Sequence, residues 1–432
     1  MPARADALAA ELCAFLDAAP TPFHACAEVA RRLEGAGFVR RTEAEPWKPG
    51  RGGARAFVQR GASLIAWAEP EGAEPACGWR IAGAHTDSPN LRLRPQPDTG
   101  RAGLRQLGIE VYGGVLLNSW LDRDLALAGR VFVRAERGPE EHLFALPAPL
   151  LRVPQLAIHL NREVTTAGLL LNPQVHLTPL VASEREGAHD FRTLLGAALA
   201  LDPERILAWD AMLHDVQPAQ RVGQDGEFLS SARLDNLCSC FCALSALLAR
   251  LARKEPLRGV AALAFFDHEE VGSVSSRGAQ SSFLRDVLER AVFARGGTRD
   301  DVHRAVALSA CASADMAHAT HPNYPEKHEP DHPVRMNGGP AIKTNVNQRY
   351  ASEGESEALF LEACARAGVP CQRYSHRGDL PCGTTIGPLT AATLGVRTVD
   401  VGNPMLAMHS ARELCGAEDP ELMTRALAAF FE

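Results

Sequence analysis

The stretch "AFFDHEEVGS", residues 264–273, ends an apolar run abruptly in Asp267, His268, Glu269 and Glu270. Two adjacent carboxylates repel each other, and burying them is costly unless cations neutralise them. Other polar groups follow similar apolar runs: His85 and Asp87 after "RIAGA", and Asp315 after "AVALSACASA". In open α/β sheets, sites form beyond the carboxyl ends of the strands, which is where these groups fall. Asp235, at a helix start in "SARLDN", and His409, in "NPMLAMHS", complete a candidate set. Histidine and carboxylate ligands of this kind suit zinc or a similar divalent ion, with manganese and cobalt as alternatives. Asp87 fits beside a ligand, because a ligating histidine commonly donates its other N–H to a carboxylate.

Each residue also has a plainer reading. An aspartate at a helix start is usually an N-cap, which would account for Asp235 alone. His85 and His409, taken singly, are ordinary polar residues. The pair Glu269–Glu270 resists such an account. Cys238, Cys240 and Cys242 lie in "LDNLCSCFCALSALLARLA", a stretch of helical composition. At that spacing the middle cysteine points away from the other two, so small buried core residues are the better reading.

These groups need elements to position them. Residues 8–36 read as helices broken at "AAPTPFHA", followed by strands near 56–59, 63–67 and 79–85. Residues 91–230 carry many short β-like runs, among them "GIEVYGGVLL", "AGRVFVRAE" and "LLRVPQLAIHL", separated by Pro, Gly and Asn. Beyond 231 the pattern alternates: helix 234–253, strand 258–266, helix 282–294, strand 305–311, then helix, strand, helix, strand and a last helix over 417–431. Such alternation predicts an α/β fold, a mixed β-sheet flanked by helices. The simplest division is one catalytic domain, 1–90 plus 231–432, interrupted by an inserted β-rich domain, 91–230.

Composition bounds the function. The chain has 432 residues, 46% hydrophobic and 22% charged, with a formal net charge of −7. A mildly acidic chain without a basic block is a poor nucleic-acid binder. No apolar run suggests a membrane span, and the acids in the first residues do not suit a signal peptide. Eleven cysteines without a CxxC pair suggest reduced thiols in a cytoplasm.

The motifs "GAHTDSPNLRLRP", "YGGVLLNSWLDRDLALAGRV", "SARLDN", "FFDHEEVGSVSSRGAQS", "SADMAHATHPNY", "GPAIKTNVNQRY", "DLPCGTTIGP" and "MLAMHSARE" run along nearly the whole chain. In this order they resemble the aspartyl aminopeptidase family of two-metal peptidases. The resemblance implies two divalent ions, most simply Zn2+, bridged by Asp235. His85 and Asp315 would complete one shell, Glu270 and His409 the other. Glu269 would be the general base, and His268, between Asp267 and Glu269, a structural residue. The insertion resembles a dimerisation domain of the zinc-peptidase type. His159, in "LAIHLNREV", would then reach a partner subunit's active site; by itself it reads as a strand histidine. Lys343 and Tyr350, in "AIKTNVNQRY", fall where the family recognises the substrate side chain, although Lys343 alone could be a solvated lysine; His318, three residues past Asp315, is a further candidate. Gly383 to Thr385 would support the substrate through backbone groups.

The expected reaction is release of N-terminal residues, preferably Asp or Glu, from peptide substrates. Broad or neutral preference is the alternative. So is a two-metal carboxypeptidase or deacylase on the same scaffold. A non-catalytic assembly protein is the reading from another class, and the intact ligand set speaks against it. The family also implies a homo-oligomer built from dimers, with a dodecamer as the candidate assembly.

Overall fold

The computed structural model describes residues 2–47, 53–185 and 190–432. Its centre is a nine-stranded mixed sheet in the order Val39–Arg41, Arg55–Arg60, Ser63–Ala68, Val260–Phe266, Trp79–His85, Ala310–Ala314, Arg397–Gly402, Ala341–Thr344, Gln372–Ser375. The four strands from Val260–Phe266 to Arg397–Gly402 run parallel. Their near-continuous apolar sequence follows from burial on both faces. Along Val260–Phe266, Leu263 and Phe265 join one core with Leu237, Phe241, Met423 and Leu427. Ala262, Ala264 and Phe266 join the opposite core with Phe283, Leu288 and Ile386. The α/β class is therefore as expected.

Helix Leu234–Leu251 lies in the first core against Asp419–Phe430. Its mean hydropathy of 1.4 over 18 residues makes it long and apolar enough to cross a membrane, contrary to the sequence reading. Most of it is buried in this fold, which explains the apolar composition without a bilayer. Cys238, Cys240 and Cys242 are fully buried there, as expected for core residues.

A six-stranded antiparallel sheet in the order Gly138–Ala145, Leu125–Ala135, Ile206–Asp215, Asn90–Arg101, Leu104–Tyr112, Leu180–Ser183 has its own core, including Leu91, Leu127, Val131 and Phe191. Hydrogen bonding changes partner between 215 and 220 rather than at 230. Strands Gln220–Val222 and Phe228–Ser231 belong to a third sheet with Glu413–Gly416, Pro404–Leu406 and Ala317–His318.

Two expectations are corrected. Residues 305–307 end a helix, Arg299–Ala307, and the strand is Ala310–Ala314. Thr298 and Asp301 form a capping box that starts the helix, and Val302 and Ala305 supply its buried face. The run "LLRVPQLAIHL" makes only isolated bridges at Leu151, Arg152 and Val153. Ile158–Leu160 is a short 3-10 helix, so His159 is not a strand residue. Leu156, Ile158 and Leu160 in the second half of the run are 60%, 49% and 75% exposed in the single chain, as is Leu170 beyond it at 84%, so that half's apolar character did not come from pairing in a sheet.

Candidate active site

Strand ends and loops bring the ligand candidates together. His85 ends strand Trp79–His85, and its register partner Phe266 directly precedes the acidic loop. Asp315 follows strand Ala310–Ala314. Asp235 is not an N-cap. Arg233 occupies that position, and Asp235 has non-helical φ −84° and ψ 105°.

The carboxylate of Asp235 lies between two groups. Its Oδ1 is 3.3 Å from His85 Nε2, which is in turn 3.6 Å from Asp315 Oδ1. Its Oδ2 is 3.3 Å from His409 Nε2, which is 3.4 Å from Glu270 Oε2. Potential ligand atoms of His85, Asp235 and Asp315 lie within 4.8 Å of one another, as do those of Asp235, Glu270 and His409. Glu269 joins His85 and Glu270 in a third such group.

The histidine tautomers follow from their other ring nitrogens. His85 Nδ1 donates to the Asp87 carbonyl at 3.0 Å, and His409 Nδ1 to the Gly114 carbonyl at 2.9 Å. Both Nε2 atoms are thereby free to ligate. Asp87 Oδ1 is also 3.4 Å from His85 Nδ1. The Asp87 carboxylate accepts the backbone N–H groups of Glu269 and Glu270 at 3.2 and 3.1 Å, and the Tyr112 hydroxyl at 2.7 Å. It thus anchors the acidic loop beside His85.

Sequence reasoning missed three contributors. Glu413 is 2% exposed and accepts the backbone N–H groups of Asp235 and His409. Tyr112 and Gly114 come from the end of a strand in the six-stranded sheet. A Cβ on Gly113, whose φ is +75°, would lie 3.1 Å from Glu270 Cβ, so the glycine lets the chain pass close. The available signals were the glutamate four positions after His409 and the glycine pair after Tyr112.

The electrostatics ask for cations. Burial pushes the Glu269 carboxyl up to about 8, with Asp315, Asp87 and Asp235 adding to the rise and His85 opposing it. Burial, then Asp235, holds Glu270 well above the usual range. For His409 burial works downward but is outweighed by Asp235 and Glu270, which lift it to about 10. Asp235 Oδ1 and Glu270 Oε1 are buried without a hydrogen-bond partner. Orphaned carboxylate oxygens beside imidazoles fit divalent ions, which supply the missing positive charge.

Lys343 is not a solvated surface residue. It is 2% exposed, with Nζ 3.5 Å from Asp315 Oδ2, 3.2 Å from the Met316 carbonyl and 5.1 Å from the centre of the Tyr350 ring. Tyr350 packs edge-on against Tyr374, and His318 lies 6.0 Å from the same ring. Lys343, Tyr350 and His318 therefore gather on the Asp315 side. The Thr385 hydroxyl bonds Asp400 at 2.7 Å and caps helix Ile386–Leu394, leaving only its backbone for a substrate. His268 bonds Ser275 and Arg277 at 2.8 and 2.9 Å, as a structural residue should. His159 is exposed, and among the described residues no hydrogen bond or ion pair ties it to the cluster.

Histidines and carboxylates gathered beside the strand ends of an α/β sheet form a candidate metal centre of an enzyme. The model of the aminopeptidase I zinc metalloprotease (M18) family matches residues 15–431, and the chain belongs to that family. It is a metallo-aminopeptidase. A relative named probable M18 family aminopeptidase 2, from Streptomyces avermitilis, is 50% identical, covering 98% of this chain and 97% of its own. One of the same name from Mycobacterium tuberculosis is 49% identical, covering 97% and 96%. Among solved structures, a chain in the cryo-EM structure of the Ape4 and Nbr1 complex aligns with TM-score 0.95 at 38% identity, covering 100% of this chain and 86% of that one. A yeast mApe1 dodecamer aligns with TM-score 0.85 at 27% identity, covering 98% and 96%. Membership of an aminopeptidase family sets aside the carboxypeptidase, deacylase and scaffold readings.

Proposed function

We propose that the chain releases N-terminal residues, preferably Asp or Glu, from peptides with the help of two divalent ions, most simply zinc. The observation that carries the two-ion reading is the split of the Asp235 carboxylate, one oxygen toward His85 and Asp315, the other toward His409 and Glu270. When bound, such a pair supplies Lewis acidity and lowers the pKa of water. Glu269 shares a group with His85 of one set and Glu270 of the other, which puts its carboxylate within reach of a water held between them. It would take the proton of the attacking water and return it to the departing amine. Asp87 holds the Glu269 backbone in place for that transfer.

Acidic preference is supported by the buried Lys343 ammonium, backed by Tyr350 and flanked by His318. The inserted unit, expected over 91–230 and built on the six-stranded sheet that ends at Asp215, would serve dimerisation. Its exposed Leu156, Ile158, Leu160 and Leu170 give it an apolar surface that a second copy would cover, and His159 sits within that surface. Dimers would assemble further, as in the mApe1 dodecamer. All eleven cysteines are free thiols, which supports a reducing cytoplasm.

The test is metal analysis combined with peptides bearing N-terminal Asp, Glu, Leu or Lys. Two ions per chain and a kcat/KM at least about tenfold higher for Asp and Glu are expected, a gap of about 1.4 kcal/mol. Equal rates across the panel would remove the acidic preference, and a single ion at full activity would remove the two-ion reading.

A further inference from the structure

A large cleft among the described residues lies far from the metal site. It measures about 730 Å³, and five arginines, Arg80, Arg250, Arg253, Arg258 and Arg366, line it against three glutamates, Glu255, Glu362 and Glu432. Arg80 is the second residue of strand Trp79–His85, whose last residue is the candidate ligand His85. Five steps at about 3.3 Å each put the cleft roughly 16 Å from the metal site, toward the opposite end of the same central strand.

The charges are unevenly satisfied. Arg253 pairs with Glu432, and Arg366 lies 3.8 Å from Glu432 and 3.9 Å from Glu362. Arg80, Arg250 and Arg258 have no carboxylate within ion-pair distance among the described residues. Arg80 Nη1 reaches only backbone carbonyls, Leu308 at 3.1 Å and Trp79 at 3.5 Å. Its guanidinium is held below its ordinary acidity range by burial first and then by repulsion from Arg397, with Arg366 adding to it. Arg250 is 3% exposed, and its Nη atoms bond the carbonyls of Glu255 and Pro256 at 2.9 and 2.8 Å. Its Nε is buried without a partner.

In a chain of net charge −7, crowded guanidiniums without counter-ions are an electrostatic cost that a bound anion would relieve. Planar guanidinium forks match phosphate oxygens bidentately. We propose that this cleft is a second ligand site, taking a phosphate-bearing anion between Arg80, Arg250 and Arg258. An acidic segment of a neighbouring chain is the rival occupant. The buried guanidinium of Arg250, with its Nε unpartnered on the wall of the cleft, favours the small anion.

The test is calorimetric titration of the metal-loaded enzyme with inorganic phosphate at constant ionic strength. One saturable event per chain with Kd of about 1 mM or tighter is expected. Arg258→Ala and Arg80→Gln should each weaken it at least about tenfold, while turnover of a peptide with N-terminal Asp stays at the wild-type level. Arg258 is exposed, so its variant should fold even if Arg80→Gln does not. Three results would overturn the proposal. An event that persists unchanged in Arg258→Ala places phosphate at the metals. Heat that fails to saturate marks an adventitious ion only. A wild type that binds no phosphate, with an assembly size that changes in Arg258→Ala, gives the cleft to a neighbouring chain.

Discussion

Glu413 Oε2 accepts the backbone N–H of Asp235 at 3.0 Å, while its Oε1 accepts that of His409 at 2.7 Å. One buried carboxylate thus sets the spacing of two candidate ligands that are 174 positions apart in the chain (409 − 235). Glutamine offers only one acceptor oxygen, so Glu413→Gln leaves one N–H unpaired. We predict metal binding about 10–100-fold weaker, as for other groups that orient ligands. Glu413→Ala should be weaker still. Competition with a chelator reads the affinity, and circular dichroism checks the fold. Wild-type affinity in both variants would remove Glu413 from this role.

Asp235→Asn should lower metal occupancy in both groups together, because each carboxylate oxygen faces a different group. Elemental analysis reads the result. Selective loss of one ion would contradict a bridging position.

Glu269→Gln should retain metal yet lose about 10²–10⁴-fold in kcat, since an amide of similar size cannot accept the proton. Near-normal turnover would assign the base to another group.

His159→Ala should lose activity with metal content and assembly size unchanged, if His159 acts across a subunit boundary. A hybrid of His159→Ala and Glu269→Gln chains has one site that combines intact His159 and intact Glu269. Losing one preorganised donor costs about 10²–10³-fold, so recovery should stand well above either parent. Differently tagged chains, co-expressed and purified as the hybrid, provide the assay. A hybrid as inactive as its parents would return His159 to an ordinary surface histidine.

Acid should weaken the fold through His24 and His214, each lowered to about 4, by burial first and then by Arg233. Their folded values lie below the unfolded value of about 6.5. This stability is therefore full above pH 6.5 and is lost as pH falls toward 4. At about 1.4 kcal/mol per unit, each contributes up to roughly 3 kcal/mol. His214→Gln should show a shallower loss of denaturant stability between pH 6.5 and 4.5 than the wild type. Equal slopes would exclude His214 as a source.

Much of the site could be read before any fold was known. The pair Glu269–Glu270 after "VAALAFF" was already anomalous, because a strand buried on both faces leaves no water for two acids. His85 and Asp315 were recognisable for the same reason, as polar residues closing apolar runs. The helix over 299–307 was misread because its apolar positions, Val302 and Ala305, merge with the strand that follows. Tertiary structure alone decided the rest. Whether Asp235 caps a helix or faces both groups depends on backbone dihedrals, which its neighbours in sequence do not announce. Lys343 could have been solvated, and only its packing against Asp315 and Tyr350 shows a buried ammonium. Tyr112 and Gly114 act through hydrogen bonds to residues 25 and 295 positions away, and Glu413 joins His409, four positions away, to Asp235, 178 positions away; the distant bonds leave no local pattern in a chain. Residue types and their place after strands carry local chemistry, so the sequence by itself nominated the candidate metal ligands. Their orientation is a product of long-range contacts, and only the folded chain holds those.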